Sequence, residues 1–107
     1  MKITKDNKEI LDVINKNDIA LLYFSGENCG VCTVVKSKIK EILKKYPKIE
    51  SLEIKTEENQ ELTGQYSIFT IPAIIVYIQG KESIREARYL SVEDIENKID
   101  RYYNMIY

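Results

Sequence analysis

Ile19-Ala20-Leu21-Leu22-Tyr23-Phe24, followed by Ser25-Gly26-Glu27-Asn28 and then Cys29-Gly30-Val31-Cys32, is the stretch from which the fold can be read. Its first six residues are apolar with no alternation, the pattern of a strand covered on both faces in the middle of an α/β sheet. The next four form a turn-making cluster that ends the strand. The two cysteines are the only ones in the chain. Beyond them, residues 33–46 read as a helix, with Val35, Ile39, Ile42, Leu43 and Tyr46 on one face. Lysines and Glu41 cover much of the remainder, and Pro47 stops it. Two thiols with two residues between them, at the start of a helix, are close enough to form an intramolecular disulfide. The helix dipole there also stabilises a thiolate.

Outward from that stretch, residues 8–17 place Ile10, Leu11 and Ile14 on one helical face, with Asp6 or Asn7 as the cap. A short strand is expected at residues 2–4. Downstream, residues 49–55 set Leu52 and Ile54 on one side of a strand with Glu53 between them. Residues 56–65 are expected to form a short helix capped by Thr56. Ala73 to Ile78 is a second uninterrupted apolar run and the other central strand, and Pro72, which has no amide hydrogen to donate, stands at its entrance. Residues 82–89 read as an exposed edge strand carrying Arg85, Glu86 and Arg88. Ser91 caps a last helix whose inner face is Val92, Ile95, Ile99, Tyr102 and Ile106. Tyr103 and Tyr107 fall off that stripe, as surface or rim aromatics. The order (β)αβαβαββα predicts a mixed sheet with helices on both faces.

At 107 residues the chain is expected to be a single domain spanning residues 1–107. Sixteen basic residues stand against 17 acidic ones, a formal net charge of −1 that offers no field for drawing in nucleic acid or an anionic membrane. No apolar segment is long enough to cross a bilayer. The first residues do not resemble a secretory signal, so a cytoplasmic location is expected. In a reducing compartment a close cysteine pair serves catalysis, redox sensing or metal binding sooner than it serves as a staple. The chain has no histidine, so no imidazole is available as base or ligand. A metal held by this pair alone would be half coordinated and would need a dimer to complete it.

These residues together resemble the thioredoxin superfamily over most of the chain. The resemblance rests on Phe24 ahead of Cys29-Gly30-Val31-Cys32 at a strand-to-helix junction, on Tyr66-Ser-Ile-Phe-Thr-Ile-Pro72-Ala at a strand entrance, on Lys81 after the Gly80 turn, and on the closing helix. It implies an α/β thioredoxin fold with a mixed four- to five-stranded sheet. It also implies thiol–disulfide exchange with protein substrates, with reduction as the expected direction. Cys29 would attack and Cys32 would resolve the mixed disulfide. Gly30, Val31, Thr70, Ile71 and Pro72 would line the substrate site, with Pro72 in the cis form and the peptide groups of Thr70 and Ile71 pairing with an extended segment. No cofactor beyond the disulfide and a thioredoxin-reductase-like electron donor follow from the same likeness, and a monomer is expected because no apolar surface stripe argues against one. A redox-sensing module that does not turn over is the alternative. The departures bear on proton transfer. Tyr23 takes the place of the buried aspartate, Ser51 that of its lysine, Asn28 that of a tryptophan, Val31 that of a proline and Arg88 that of a glycine. Water, Glu27 or Glu53 is left to accept the proton of Cys32.

Overall fold

The computed structural model describes all 107 residues. Five strands form one sheet: β1 (Lys2–Ile3), β2 (Ile19–Ser25), β3 (Glu50–Lys55), β4 (Ala73–Ile78) and β5 (Lys81–Ala87). Their spatial order is β1-β3-β2-β4-β5. Strands β1, β3 and β2 run parallel, whereas β4 and β5 are antiparallel additions. Four helices complete the chain: α1 (Asn7–Lys16), α2 (Gly30–Lys45), α3 (Gln60–Gln65) and α4 (Val92–Ile106). This is the mixed α/β sheet expected from the alternation of elements.

The two apolar runs occupy the centre of the sheet, where helices on both faces take their side chains out of water, save Tyr77 and Ile78 at the end of β4, which are half-buried. All seven residues of β2 are buried. Odd-numbered Ile19, Leu21 and Tyr23 enter one core with Val35, Ile39, Ile42, Ile95 and Ile99 from α2 and α4. Even-numbered Ala20, Leu22 and Phe24 enter the other, with Ile10 and Ile14 of α1 and Leu62 of α3. The caps read from sequence are in place: Asp6 accepts from the Lys8 amide, and Ser91 accepts from the Asp94 amide. Tyr103, read as a rim aromatic, packs against the α2/α4 core and meets Tyr46 edge-on, with centroids 5.0 Å apart.

Three departures from the sequence reading exceed a one-residue shift. Helix α2 begins at Gly30, one turn ahead of its apolar face, because Cys29 caps it. Residues 56–65 do not form one helix: Thr56–Glu58 makes a 3₁₀ turn, and Asn59, at φ −146° and ψ 56°, separates it from α3. The expected Thr56 cap is therefore absent. Strand β5 ends at Ala87, since Arg88 adopts φ +69° and turns the chain off the sheet edge. That left-handed conformation favours glycine and costs a residue with a Cβ about 1–2 kcal/mol.

Candidate active site

The parallel strands deliver their C-terminal ends to one edge of the sheet, and the cysteine pair sits there. Ser25 closes β2, the loop runs through Gly26, Glu27 and Asn28, and Cys29 caps α2. Asn28, at φ +55°, makes the sharp entry into the cap, a conformation that asparagine tolerates better than most residues. Gly26 is closely packed: a Cβ there would lie 2.6 Å from Ile71 Cδ1 and 3.0 Å from Glu57 Oε2, both ends of side chains. Gly30 is under no such demand, with nothing within 4 Å of a Cβ.

Cys29 and Cys32 are joined as a disulfide, with Cα atoms 5.2 Å apart. The Cys32 amide donates to Cys29 Sγ at 3.2 Å, so this sulfur occupies the capping position where a first-turn N–H of the helix is free. The two sulfurs differ in access. Cys29 is partly exposed, flanked by exposed Asn28 and Gly30, whereas Cys32 is 3% exposed. Val31, between them, is exposed as well.

Ile71–Pro72 is a cis peptide bond, as the resemblance implied. Pairing of Phe24 with Ala73 sets Pro72 beside the end of β2. The Pro72 carbonyl accepts from the Arg88 amide at 2.9 Å, which holds the loop after β5 against this edge. Thr70 is exposed, Ile71 is half-buried and Pro72 is buried. Phe69 and Tyr89, in the segments beside Pro72 and Arg88, are more than four-fifths exposed, and the Arg88 guanidinium stacks 4.9 Å above the Tyr89 ring. Nothing in the spacing of these residues foretold that exposure. An open cleft of about 400 Å³ lies between α3 and the Phe69-Thr70-Ile71 segment, with no thiol in its wall.

Beneath the disulfide lies a polar cluster that sequence reading recovered only in part. Tyr23 and Glu53 are directly paired across β2 and β3, and both face α2. The Tyr23 hydroxyl donates to the Cys32 carbonyl at 2.6 Å. Burial, and then the nearby Glu53 charge, push this phenol up to about 12, so it stays a donor. Glu53 is 2% exposed. Its Oε2 accepts from the Ser25 hydroxyl at 2.7 Å. Its Oε1 lies 2.7 Å from Lys36 Nζ as an ion pair, outside hydrogen-bond angles, which leaves lone pairs on Oε1 without a donor. Burial pushes the carboxyl up, but the Lys36 ammonium and the Ser25 hydroxyl outweigh it and hold it below the usual carboxylate range. A cavity of about 200 Å³ joins Cys32 to Glu53, lined also by Ser25, Gly26, Thr33, Lys36 and Lys55. Glu27, the other carboxylate considered from sequence, is exposed on the loop. No group of three or more cysteines, aspartates and glutamates is placed to hold a metal ion.

A helix-capping disulfide at the edge of a mixed sheet, one sulfur partly exposed and the other buried, defines a thiol–disulfide redox protein. The thioredoxin family model matches residues 2–101, and the chain belongs to that family. It is 31% identical over 96 residues to the thioredoxin-like protein YdfQ of Bacillus subtilis (strain 168), covering 90% of this chain and 86% of that one. It is 32% identical over 72 residues to a thioredoxin of Griffithsia pacifica, covering 66% of each. Among solved structures, a Plasmodium falciparum thioredoxin superposes with a TM-score of 0.84 at 24% identity, covering 95% of this chain and 99% of that one. A Fasciola hepatica thioredoxin gives the same TM-score at 22% identity, covering 95% and 99%. The fold and the redox-active pair read from sequence stand.

Proposed function

We propose that this protein is a cytoplasmic thiol–disulfide oxidoreductase that reduces disulfides of other proteins and is recharged by a thioredoxin-reductase-like donor. The observation that carries this reading is the unequal access of the paired sulfurs, with Cys29 open at the helix cap and Cys32 at 3% exposure. In the dithiol form the Cys29 thiolate, favoured by the helix N-terminus, attacks a substrate sulfur. One substrate thiol leaves and a mixed disulfide remains on Cys29. Cys32 then attacks Cys29, and the second substrate thiol departs. Thr70 and Ile71 offer peptide groups to an extended substrate segment, and Gly30 and Val31 border it. Exposed Val31, Phe69 and Tyr89 supply apolar area at the rim.

Substitution separates the two roles. Cys32→Ser is expected to accumulate covalent adducts with substrate proteins through Cys29, visible by mass spectrometry and released by dithiothreitol. Cys29→Ser is expected to abolish reduction of insulin disulfides. Insulin reduction that survives without Cys29 refutes the assignment. A second reading, a sensor that oxidises once without turnover, draws on the presence of Tyr23 where an acid would serve proton transfer. An NADPH-coupled assay with a thioredoxin reductase distinguishes them: steady consumption supports the reductase, and a single equivalent supports the sensor.

A further inference from the structure

Resolution has a chemical requirement that the cysteines do not meet by themselves. Cys32 must lose a proton to become a nucleophile, yet it is 3% exposed, and an ordinary thiol is largely protonated at neutral pH. The groups around it can be sorted by whether they are able to take that proton. Lys36 and Lys55 are cations. The Tyr23 hydroxyl is committed to the Cys32 carbonyl, and the Ser25 hydroxyl to Glu53. Thr33 offers only a neutral hydroxyl. Among the residues lining the cavity shared with Cys32, Glu53 is the sole carboxylate, and its Oε1 retains lone pairs with no donor aligned to them. A pocket of about 200 Å³ is polar and large enough for several water molecules.

We propose that Glu53 is the proton acceptor for Cys32 during resolution, reached through water in the cavity that joins them. The inference rests on the exchange reaction proposed above. In the step itself, the Cys32 thiol gives its proton through water to the Glu53 carboxylate. The sulfur electron pair forms a bond to Cys29 Sγ, and the bond between Cys29 and the substrate sulfur breaks. That sulfur leaves as a thiolate with the bonding pair and is protonated from solvent, while Glu53 returns its proton through the mouth of the cavity. The protein dithiol is oxidised to a disulfide and the substrate disulfide is reduced to two thiols. Lys36 is a positioning residue: on α2, one turn after Cys32, it holds Oε1 at 2.7 Å and keeps the acceptor ionised at rest. The charged and titratable groups around the carboxylate are Tyr23 on β2, Cys32 and Lys36 on α2, and Lys55 on β3.

The test follows the two steps separately. Reduced protein is mixed with oxidised glutathione, quenched with acid at intervals, and the Cys29–glutathione adduct is counted by mass spectrometry. Its growth reports attack and its decay reports resolution. With an internal base, the wild-type decay rate is nearly flat between about pH 5 and pH 7, because Glu53 is ionised and Cys32 protonated throughout. In Glu53→Gln the decay rate rises about tenfold per pH unit, following the thiolate fraction, and at pH 6 it is at least about tenfold slower than wild type. Adduct growth is unchanged, and Glu53→Asp recovers most of the decay rate. A wild-type decay rate that itself climbs tenfold per unit, or a Gln variant that resolves as fast as wild type, overturns the role of Glu53 alone. Failure of Cys32→Ser to form any Cys29 adduct overturns the exchange reading, and the role of Glu53 with it. The wild-type profile decides the matter even where the Gln variant folds poorly.

Discussion

Tyr23 and Phe24 are neighbours on β2, both fully buried, and the surfaces they enter differ in kind. Phe24 ends an apolar ladder with Ala20 and Leu22, facing α1 and α3 and tilted against Tyr66 at 6.1 Å between centroids. On the opposite face the ladder of Ile19 and Leu21 gives way at the same height to Tyr23 and Ser25, with Glu53 and Lys55 beside them on β3. The polar end of that face lies directly under the first turn of α2. Both faces carry an apolar core, but only the α2/α4 face ends in polar and charged side chains, at the strand ends where the cysteines emerge. The pleat makes this division possible, because each one-residue step along β2 exchanges one surface for the other.

Substitutions on the two faces should therefore fail differently. Phe24→Ala is expected to cost about 3–5 kcal/mol in urea unfolding, the range for emptying a buried aromatic site, while folded molecules keep an unaltered rate of Cys29 attack. A loss below about 1 kcal/mol would show that the apolar face does not hold the sheet. Lys36→Met is next. It leaves the Glu53 carboxylate buried with Ser25 as its only partner, and roughly 2–3 kcal/mol of stability should go at pH 7. The acid limb supplies the sign. Glu53 is held below its ordinary value, 4.5, so its contribution is complete above that pH and is lost as pH falls through the folded-state value. The difference between wild type and Lys36→Met should accordingly shrink in unfolding curves taken near pH 4. A gap that stays constant with pH would mean that the ion pair contributes nothing.

The division between the faces was only half legible in the sequence. The apolar ladders were plain, because Ile19 to Phe24 and Ala73 to Ile78 have no alternation, the pattern of a strand covered on both faces. Pro72 at a strand entrance and Ser91 ahead of a helical stripe were equally direct, each being a residue whose backbone or side-chain chemistry fixes its place. Glu53 was harder. Alternation between Leu52 and Ile54 assigns it to the other face of β3, and a charged residue on that face would ordinarily meet water. Its burial depends on where α2 lies, and on the reach of a lysine one turn beyond Cys32, neither of which is written in β3 itself. Arg88 was legible as an exposed charge but not as a residue at φ +69°, since side-chain type there opposes the backbone it adopts. The break at Asn59 escaped for a similar reason, because no proline or glycine stands ahead of Gly64 in residues 56–65 to mark it.

A smaller change probes the polar face without touching charge. Tyr23→Phe keeps the ring in the α2/α4 core and deletes only the hydroxyl that donates to the Cys32 carbonyl. The expected cost is about 1 kcal/mol, typical for one buried hydrogen bond. Cys29 attack should be unchanged and resolution by Cys32 slowed a few-fold, because the first turn of α2 loses a tether. Identical resolution rates for Tyr23→Phe and wild type would confine this phenol to packing.

The smallest effects come from the two glycines that bracket the cysteine cap, and they sharpen the same contrast at the level of single atoms. Gly26→Ala drives a methyl to within 2.6 Å of Ile71 Cδ1, so the end of a side chain bordering the proposed substrate site must move. Because that end is flexible and neighbouring Glu57 is exposed, the cost to stability is about 1 kcal/mol and the larger consequence is a raised KM for protein disulfides. Gly30→Ala meets nothing within 4 Å and adds a better helix former at the first position of α2. Stability should hold or rise by up to about 0.5 kcal/mol, with Cys29 still reactive, because a methyl there enters open space and leaves the capping sulfur in position. Equal changes in KM for the two variants would contradict the placement of Ile71 against Gly26. A change confined to Gly26→Ala would locate the substrate-facing side of the cap on the turn and not on the helix.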